Sequence, residues 1–413
     1  MKILILQDKF PPENLGGAGV VAFNLANIFR DEGNSVFVIT TVQDKKEEGV
    51  SEHEGLKIFK IYSKYHERWR AYLSLYNPQT IGKIKKILRE VKPDVVHAHN
   101  VHYYLSYQSL KLAKKEGAKV FLTTHDMMLF HYGKLVESVN FKDLSCENKN
   151  YRISPWRQIK KFKKRYNPFR NIIIQHYLEY VDRIFAVSDT HKEALNQNGI
   201  NNVKVIHNGI DTNKWRVDES ATHKFKEKYS LRGKKVILFS GRLSFYKGGY
   251  QAILAMEKII KEIPEAMLLI IGEKNSFAEE MFKKSKNLGV EKSLIFTGWI
   301  QGKELKAAYS ASDIVFFLSL GIETFGLINI EAMASKKPVV ATCLGGAPEI
   351  VRDGVTGYIV DPLNVELLAN RVIKILSDAE LAKRMGQAGY ERVKDHFSLQ
   401  KQVDEYLKEF RGV

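Results

Sequence analysis

The chain runs to 413 residues, more than one ordinary domain holds and enough for two or three. With 44% apolar and 27% charged residues it has an ordinary globular composition, which excludes a disordered chain, a collagen and a coiled coil. Lys and Arg outnumber Asp and Glu by 64 to 47, a net charge of +17 that favours phosphate-bearing partners: nucleic acid, anionic lipid or phosphorylated metabolites. Charge alone does not choose among them. No run approaches the roughly 18 uncharged apolar residues of a membrane span. Asp8 and Lys9 interrupt the first apolar run too early for a secretory leader. Cys146 and Cys343, far apart, suggest neither a disulfide framework nor a metal-ligand spacing, and the expected location is the cytoplasm.

Two series of alternating strands and helices follow one another. The first opens with an apolar strand at 2–7 and a turn-rich segment, Pro11-Pro12-Glu13-Asn14-Leu15-Gly16-Gly17. A helix then runs through Phe29, with Val20, Phe23, Leu25 and Ile28 expected to face one way. Further strands are expected at 35–40, 57–61, 95–98, 120–124 and 183–187. The second series has strands at 236–240, 266–271, 294–297, 314–318, 338–341 and 357–360, and a short strand with an Asn208-Gly209 turn lies between the two. This alternation predicts parallel sheets covered by helices, in a first domain of residues 1–200 and a second of 205–396. The helical ending, interrupted near 396–398, is expected to pack its last stretch, about 397–413, back on the first domain.

Chemistry concentrates after the strands. Gly241-Arg-Leu-Ser-Phe-Tyr-Lys-Gly248 follows one strand and places Arg242 and Lys247 where open α/β sheets bind ligands. Two cations in a loop closed by glycines suit a diphosphate, although a solvated basic loop fits the same residues. Glu323 and Glu331 stand eight residues apart around Gly326, at a helix start whose free N–H groups also suit a phosphate. A helix N-terminus with a favourable acid is the plainer reading of that segment alone. Gly17-x-Gly19-x-x-Ala22 fits a relaxed dinucleotide fingerprint, but no acid for a ribose follows the second strand. His125-Asp126 closes a strand, either as a buried histidine or as a residue touching a reacting sugar. His97 and His99 lack a third metal ligand, and the chain contains no Asp-x-Asp pair to hold a divalent ion on a diphosphate.

These segments resemble the retaining glycosyltransferases of family 4, which have the GT-B architecture. The resemblance runs through Phe10-Pro-Pro, Gly16-Gly17, Asp94-Val-Val-His-Ala-His, Val187-Ser188, Val205-Ile-His-Asn-Gly-Ile-Asp211, the Arg242–Lys247 loop and Phe296-Thr-Gly-Trp299. It continues through 323–334 and 345–357, and so spans nearly the whole chain. It implies an α/β fold of two Rossmann-like, doubly wound parallel-sheet lobes facing an interdomain cleft. Arg242 and Lys247 are then expected to hold a nucleoside diphosphate in place of a metal ion, and Glu331 the ribose. Glu323, with the backbone N–H groups of Phe325 and Gly326, would hold the donor sugar, and those of Leu327 and Ile328 the phosphates. The base is expected near Trp299 and Ile300, His125 beside the sugar, and Gly17 near the phosphates or the acceptor.

The implied activity is a retaining, metal-independent transfer of a hexose-type sugar from a UDP-, GDP- or ADP-linked donor. No cofactor or essential metal is expected. The acceptor is expected to be lipid-linked, a polysaccharide or another glycan. Between 149 and 170 stand nine basic residues, Lys149, Arg152, Arg157, Lys160, Lys161, Lys163, Lys164, Arg165 and Arg170, with no acid. Trp156, Phe162, Tyr166 and Phe169 lie among them, so this tract is expected to rest on an anionic membrane surface at the inner face of the cell membrane. A nucleotide-sugar epimerase of the same architecture and a non-catalytic sugar-nucleotide binder are the alternatives. A nucleic-acid partner is not expected, because no recognition motif accompanies the charge.

Overall fold

The structure is a computed structural model and describes residues 1–12, 16–133 and 150–412. Within these the chain forms two compact units, one of residues 1–133, 150–208 and 402–412 and the other of residues 209–401. The first unit is thus longer than the 1–200 read from the sequence: a short strand at 203–205 still belongs to its sheet.

The first unit contains β1 (Lys2–Leu6), β2 (Ser35–Val42), β3 (Gly49–His53), β4 (Leu56–Tyr62), β5 (Val95–Ala98), β6 (Lys119–Thr124), β7 (Arg183–Ala186) and β8 (Val203–Val205). They form one sheet in the order β3-β4-β2-β1-β5-β6-β7-β8. All pairings are parallel except β3 with β4. That hairpin was not anticipated, because β3 has the half-polar sequence Gly-Val-Ser-Glu-His and no buried position. Residues Ile3, Leu4, Ile5 and Leu6 are fully buried, as continuous apolar strands covered on both faces must be.

Helix Gly17–Asp31 buries Val21, Ala22, Leu25, Ala26 and Phe29. This is a 3.6-period stripe, but one rotated from the expected Val20, Phe23, Leu25 and Ile28, of which only Leu25 is buried. Helix Leu399–Arg411 buries Val403, Tyr406, Leu407 and Phe410, and from Gln402 onward it belongs to the first unit. There Tyr406 Oη lies 3.0 Å from Thr123 Oγ1, and the Phe410 ring packs 4.8 Å from Phe121 and 5.5 Å from Phe29.

The second unit contains β9 (Lys235–Ser240), β10 (Ala266–Ile271), β11 (Leu294–Gly298), β12 (Ile314–Phe317), β13 (Val339–Thr342) and β14 (Gly357–Val360). Their order is β11-β10-β9-β12-β13-β14, all parallel. Ile237, Phe239, Leu268, Ile270 and Phe316 build its core with Ile253, Met256, Leu368 and Val372 from helices Gly249–Glu262 and Val365–Ser377. Cys343, just past β13, is disulfide-bonded, which corrects the expectation of no bridge. Sequence separation does not limit such a bond; only the approach of the two backbones does. Cys146, Lys149 and the turn residues Glu13, Asn14 and Leu15 lie outside the described residues.

Candidate active site

Both sheets reverse their strand order once, and open α/β sheets bind ligands at such a reversal, beyond the carboxyl ends of the strands. In the second sheet β9 connects outward to β10 on one side and has β12 on the other. The loops that leave β9 and β12 are the two that carry the cations and the carboxylates.

The loop after β9 places Arg242 on the surface and ends in a short turn, Phe245–Lys247. Gly248 caps the following helix with φ +81°, and a Cβ there would stand 2.1 Å from the carbonyl oxygen of Leu318. Only glycine allows the two loops to come this close. Leu320 N–H donates to Tyr246 O at 2.8 Å and stitches them together. Lys247 Nζ then reaches Glu323 Oε1 at 2.7 Å, with both side chains only 20% and 25% exposed. Ser319 Oγ lies 3.0 Å from the same carboxylate oxygen. The backbone of Glu323 is held from a third loop, since Gly346 N–H donates to Glu323 O at 2.9 Å.

Helix Leu327–Ala334 starts directly after this carboxylate. Its N-cap is Gly326 at φ +96°, without a side-chain cap, so the first turn presents N–H groups that have no intrahelical acceptor. Gly241 comes beside it: a Cβ on that residue would lie 3.6 Å from Ile328 Cδ1. Phe325 is buried, with its ring edge-on to that of Phe397 at 6.0 Å. Glu331, one turn into the helix, accepts a hydrogen bond of 2.6 Å from the hydroxyl of Tyr309, which is itself fully buried. Burial pushes the Glu331 carboxyl above its ordinary range, and the Tyr309 hydroxyl only partly offsets this. Ile300 is buried just past β11, at the same edge but two strands from β9, beside the exposed Trp299.

The second unit therefore brings Lys247, Glu323, Gly326, Leu327 and Ile328 together around two neighbouring strand ends. Arg242 stands at the head of the same loop, Glu331 lies deeper in the helix, and Ile300 sits apart. Ser319 and Tyr309, which hold the two glutamates, were missed by sequence reasoning. A lone serine or tyrosine in a βα unit carries no signal of its own.

In the first unit the order reverses between β1 and β5. Gly17 opens the helix that follows β1 and is exposed. His125, just past β6, is half-buried with its Nε2 at 2.8 Å from His99 Nδ1 and its ring stacked on that of His99. Burial lowers the His125 imidazole to about 4 and the fully buried His97 to about 3, so both are neutral near pH 7. His97 Nε2 is engaged by Thr123 Oγ1 at 2.7 Å.

The basic tract divides. Arg152, Arg157, Lys160, Lys161, Lys163, Lys164 and Arg165 are exposed, as are Trp156 at 78% and Phe169 at 66%. Arg170 and Tyr166 are buried instead, which removes them from the expected membrane-facing set. Arg170 donates to Met128 O and to Asn171 Oδ1, and its guanidinium lies 5.6 Å from the Tyr132 ring. Phe162 is half-buried and packs edge-on against Tyr132.

Comparison with known proteins joins the two units. Residues 15–214 match the family described as Glycosyltransferase Family 4, and residues 221–392 match Glycosyl transferases group 1. The chain belongs to this glycosyltransferase family. It is 27% identical over 391 residues to an uncharacterized glycosyltransferase of Methanocaldococcus jannaschii, covering 92% of this chain and 90% of that one. It is 33% identical over 187 residues to a GDP-mannose-dependent phosphatidylinositol monomannoside mannosyltransferase of Mycolicibacterium smegmatis; this covers 44% of the chain and about half (49%) of the relative. Solved structures share the fold: Anabaena HepE in complex with UDP and glucose has a TM-score of 0.73 at 19% identity, with both chains covered in full. Sucrose-phosphate synthase from Thermosynechococcus elongatus has a TM-score of 0.78 at 20% identity, covering 100% of this chain and 98% of that one. The glycosyltransferase is thus an enzyme of GT-B fold, with two Rossmann-like, parallel-sheet units.

Proposed function

We propose that this glycosyltransferase moves a hexose-type sugar from a nucleoside-diphosphate sugar to a glycan or lipid-linked acceptor, with retention of configuration and without a metal ion. The observation that carries the reading is the Lys247–Glu323 pair beside an uncapped helix start, at the point where the strand order reverses. A cation, a carboxylate and a row of N–H groups are the chemistry that a diphosphate with a polyhydroxylated sugar calls for. The UDP and glucose in the HepE crystals and the GDP-mannose dependence of the mycobacterial relative support a nucleotide-sugar donor; they do not choose the base.

Arg242, Lys247 and the N–H groups of Leu327 and Ile328 take the diphosphate. Glu323, with the N–H groups of Phe325 and Gly326, takes the sugar hydroxyls. Glu331 accepts from the ribose, and the base lies near Ile300. On the first unit, the resemblance assigns His125 to the sugar and Gly17 to the phosphates or the acceptor.

As the sugar–phosphate bond breaks, negative charge grows on the leaving diphosphate, and these fixed donors oppose it without reorganising. The acceptor hydroxyl attacks from the leaving-group face and passes its proton to the departing phosphate, so no protein base is required. The exposed cations between Arg152 and Arg165, with Trp156, bring the enzyme to an anionic membrane on the cytoplasmic side.

The test is thermal stabilisation by UDP, GDP and ADP, with NAD as a control and EDTA throughout. A ligand present at 100 times its dissociation constant stabilises the native state by about 2.7 kcal/mol, a readily measured shift. One nucleoside diphosphate is expected to raise the melting temperature. Stabilisation by NAD alone, or by none of the four, would refute the proposal.

A further inference from the structure

Three features of the first unit converge on one carboxylate that the reading above does not use. Asp8, at the end of β1 and 1% exposed, accepts backbone N–H groups from Tyr103, Tyr104 and Leu105 at 2.6, 2.8 and 2.7 Å. It thereby fixes the loop after β5 that carries His102. Arg70 Nη2 lies 2.9 Å from His102 Nδ1. A guanidinium only donates, so Nδ1 is the accepting nitrogen and the ring proton sits on Nε2. That Nε2–H faces Asp126 Oδ2 at 2.9 Å, while Met128 N–H donates to Oδ1 at 2.9 Å. His191 Nε2, 3.1 Å from the Asp126 carbonyl oxygen, pins the backbone as well.

The chain Arg70–His102–Asp126 is therefore directional, and its last member faces outward. The His102 side chain is 6% exposed, and that of Asp126 is 41% exposed. A carboxylate offers about four lone-pair sites, and among the described residues His102 and the Met128 N–H take two of those on Asp126. Half-buried tyrosines stand beside the residues that hold it: the Tyr103 ring lies 5.0 Å from the His102 ring, and the Arg70 guanidinium lies 3.4 Å above the Tyr103 ring and 5.8 Å from that of Tyr132. A locked, outward-facing acceptor group, with aromatic rings against the residues that hold it, fits the hydroxyls of a polyol.

We propose that Asp126 receives hydroxyl groups of the acceptor, a sugar or cyclitol, and that His102 and Arg70 position it for this. The inference rests on the glycosyl-transfer reading and gives it an acceptor-recognition residue. Burial pushes the Asp126 carboxyl up, but His102, the Met128 N–H and Arg70 more than offset this and hold it below its ordinary range. It thus stays an acceptor at any working pH.

The test uses the full chain and the nucleotide sugar matching the nucleoside diphosphate that stabilises it. Methyl α-D-glucopyranoside, methyl α-D-mannopyranoside and myo-inositol serve as acceptor probes. At least one is expected to be used, and Asp126→Asn is expected to raise its KM by about tenfold or more, the loss of a charged hydrogen bond. The Kd for the nucleoside diphosphate is expected to stay within about twofold. His102→Gln, whose amide can accept from Arg70 and donate to Asp126, is expected to keep KM near the wild-type value, whereas His102→Leu raises it. If Asp126→Asn melts far below the wild type, Asp126→Glu is measured instead, with the same rise in KM expected.

An unchanged KM in the Asp126 variant, or equal damage from both His102 variants, would overturn the inference. So would a wild-type enzyme that consumes its donor yet uses none of the probes. An enzyme that binds no nucleoside diphosphate and consumes no donor instead refutes the transferase reading itself, a separate and recognisable result.

Discussion

Arg242 and Gly248 occupy one loop but are there for different reasons, and two substitutions separate them. Arg242 is exposed at the loop head and its side chain makes no hydrogen bond or ion pair among the described residues, so its loss is a loss of chemistry. Arg242→Ala is expected to lower kcat by about 10²–10³, the usual cost of one donor aimed at developing charge, with an unchanged melting temperature. Full activity in this variant would remove Arg242 from the site. Gly248 is the reverse case. With its Cβ position 2.1 Å from Leu318 O and φ at +81°, Gly248→Ala must push two loops apart. It is expected to cost about 1–3 kcal/mol, seen as a lower melting temperature, and to weaken nucleotide binding as Lys247 and Glu323 separate. A melting temperature equal to the wild type would contradict the close packing of the two loops.

Among the elements, helix Pro155–Phe162 and the turn Lys163–Arg165 gather the exposed cations with the exposed Trp156. Each cation near an anionic surface contributes about 1 kcal/mol, so their sum is large even after Arg170 is taken away. Flotation with vesicles containing phosphatidylglycerol is expected to carry the protein. Neutral phosphatidylcholine vesicles are expected to leave it behind, as is reversing Lys160, Lys161, Lys163 and Lys164 to Glu. Equal recovery with both lipids would rule out the electrostatic docking.

At this scale the sequence was legible where a strand is continuous and apolar or where a glycine punctuates a βα turn. The strands at 95–98 and 357–360 and the loop 241–248 could be read directly, because their constraint is local. The tract 149–170 could not, since helical charge periodicity does not say that Arg170 turns inward against Met128 O. Asp8 was equally opaque: its partners lie 95 to 97 residues along the chain, and an acid after a first strand looks like any other. The half-polar β3 carries no period that separates it from a loop.

For the whole molecule, the fully buried His97 and the half-buried His125 make stability depend on pH in one direction. His97 and His125, lowered to about 3 and about 4, refuse protons that the unfolded chain accepts near 6.5. Above that pH their contribution is complete and flat. As pH falls from about 6.5 toward 4, the unfolded state gains protons that the native state does not, and stability is lost. At pH 5 each histidine accounts for about 2 kcal/mol, so denaturant midpoints are expected to drop between pH 7 and pH 5. A midpoint that holds steady over this interval would mean that the fold does not hold these rings neutral.

The placement of Tyr406 and Phe410 in the first unit also bears on biogenesis. A ribosome delivering about 5–20 residues per second completes the sheet of the first unit near residue 208, then needs some ten to forty seconds more to release the helix that covers it. Until then Phe29 and Phe121 lack the aromatic lid that Phe410 provides. The described residues of the second unit, 209–401, form one continuous stretch and are all made while the first unit is still waiting. The half of the enzyme made first is thus the half finished last, and its apolar floor is what a nascent-chain chaperone would meet.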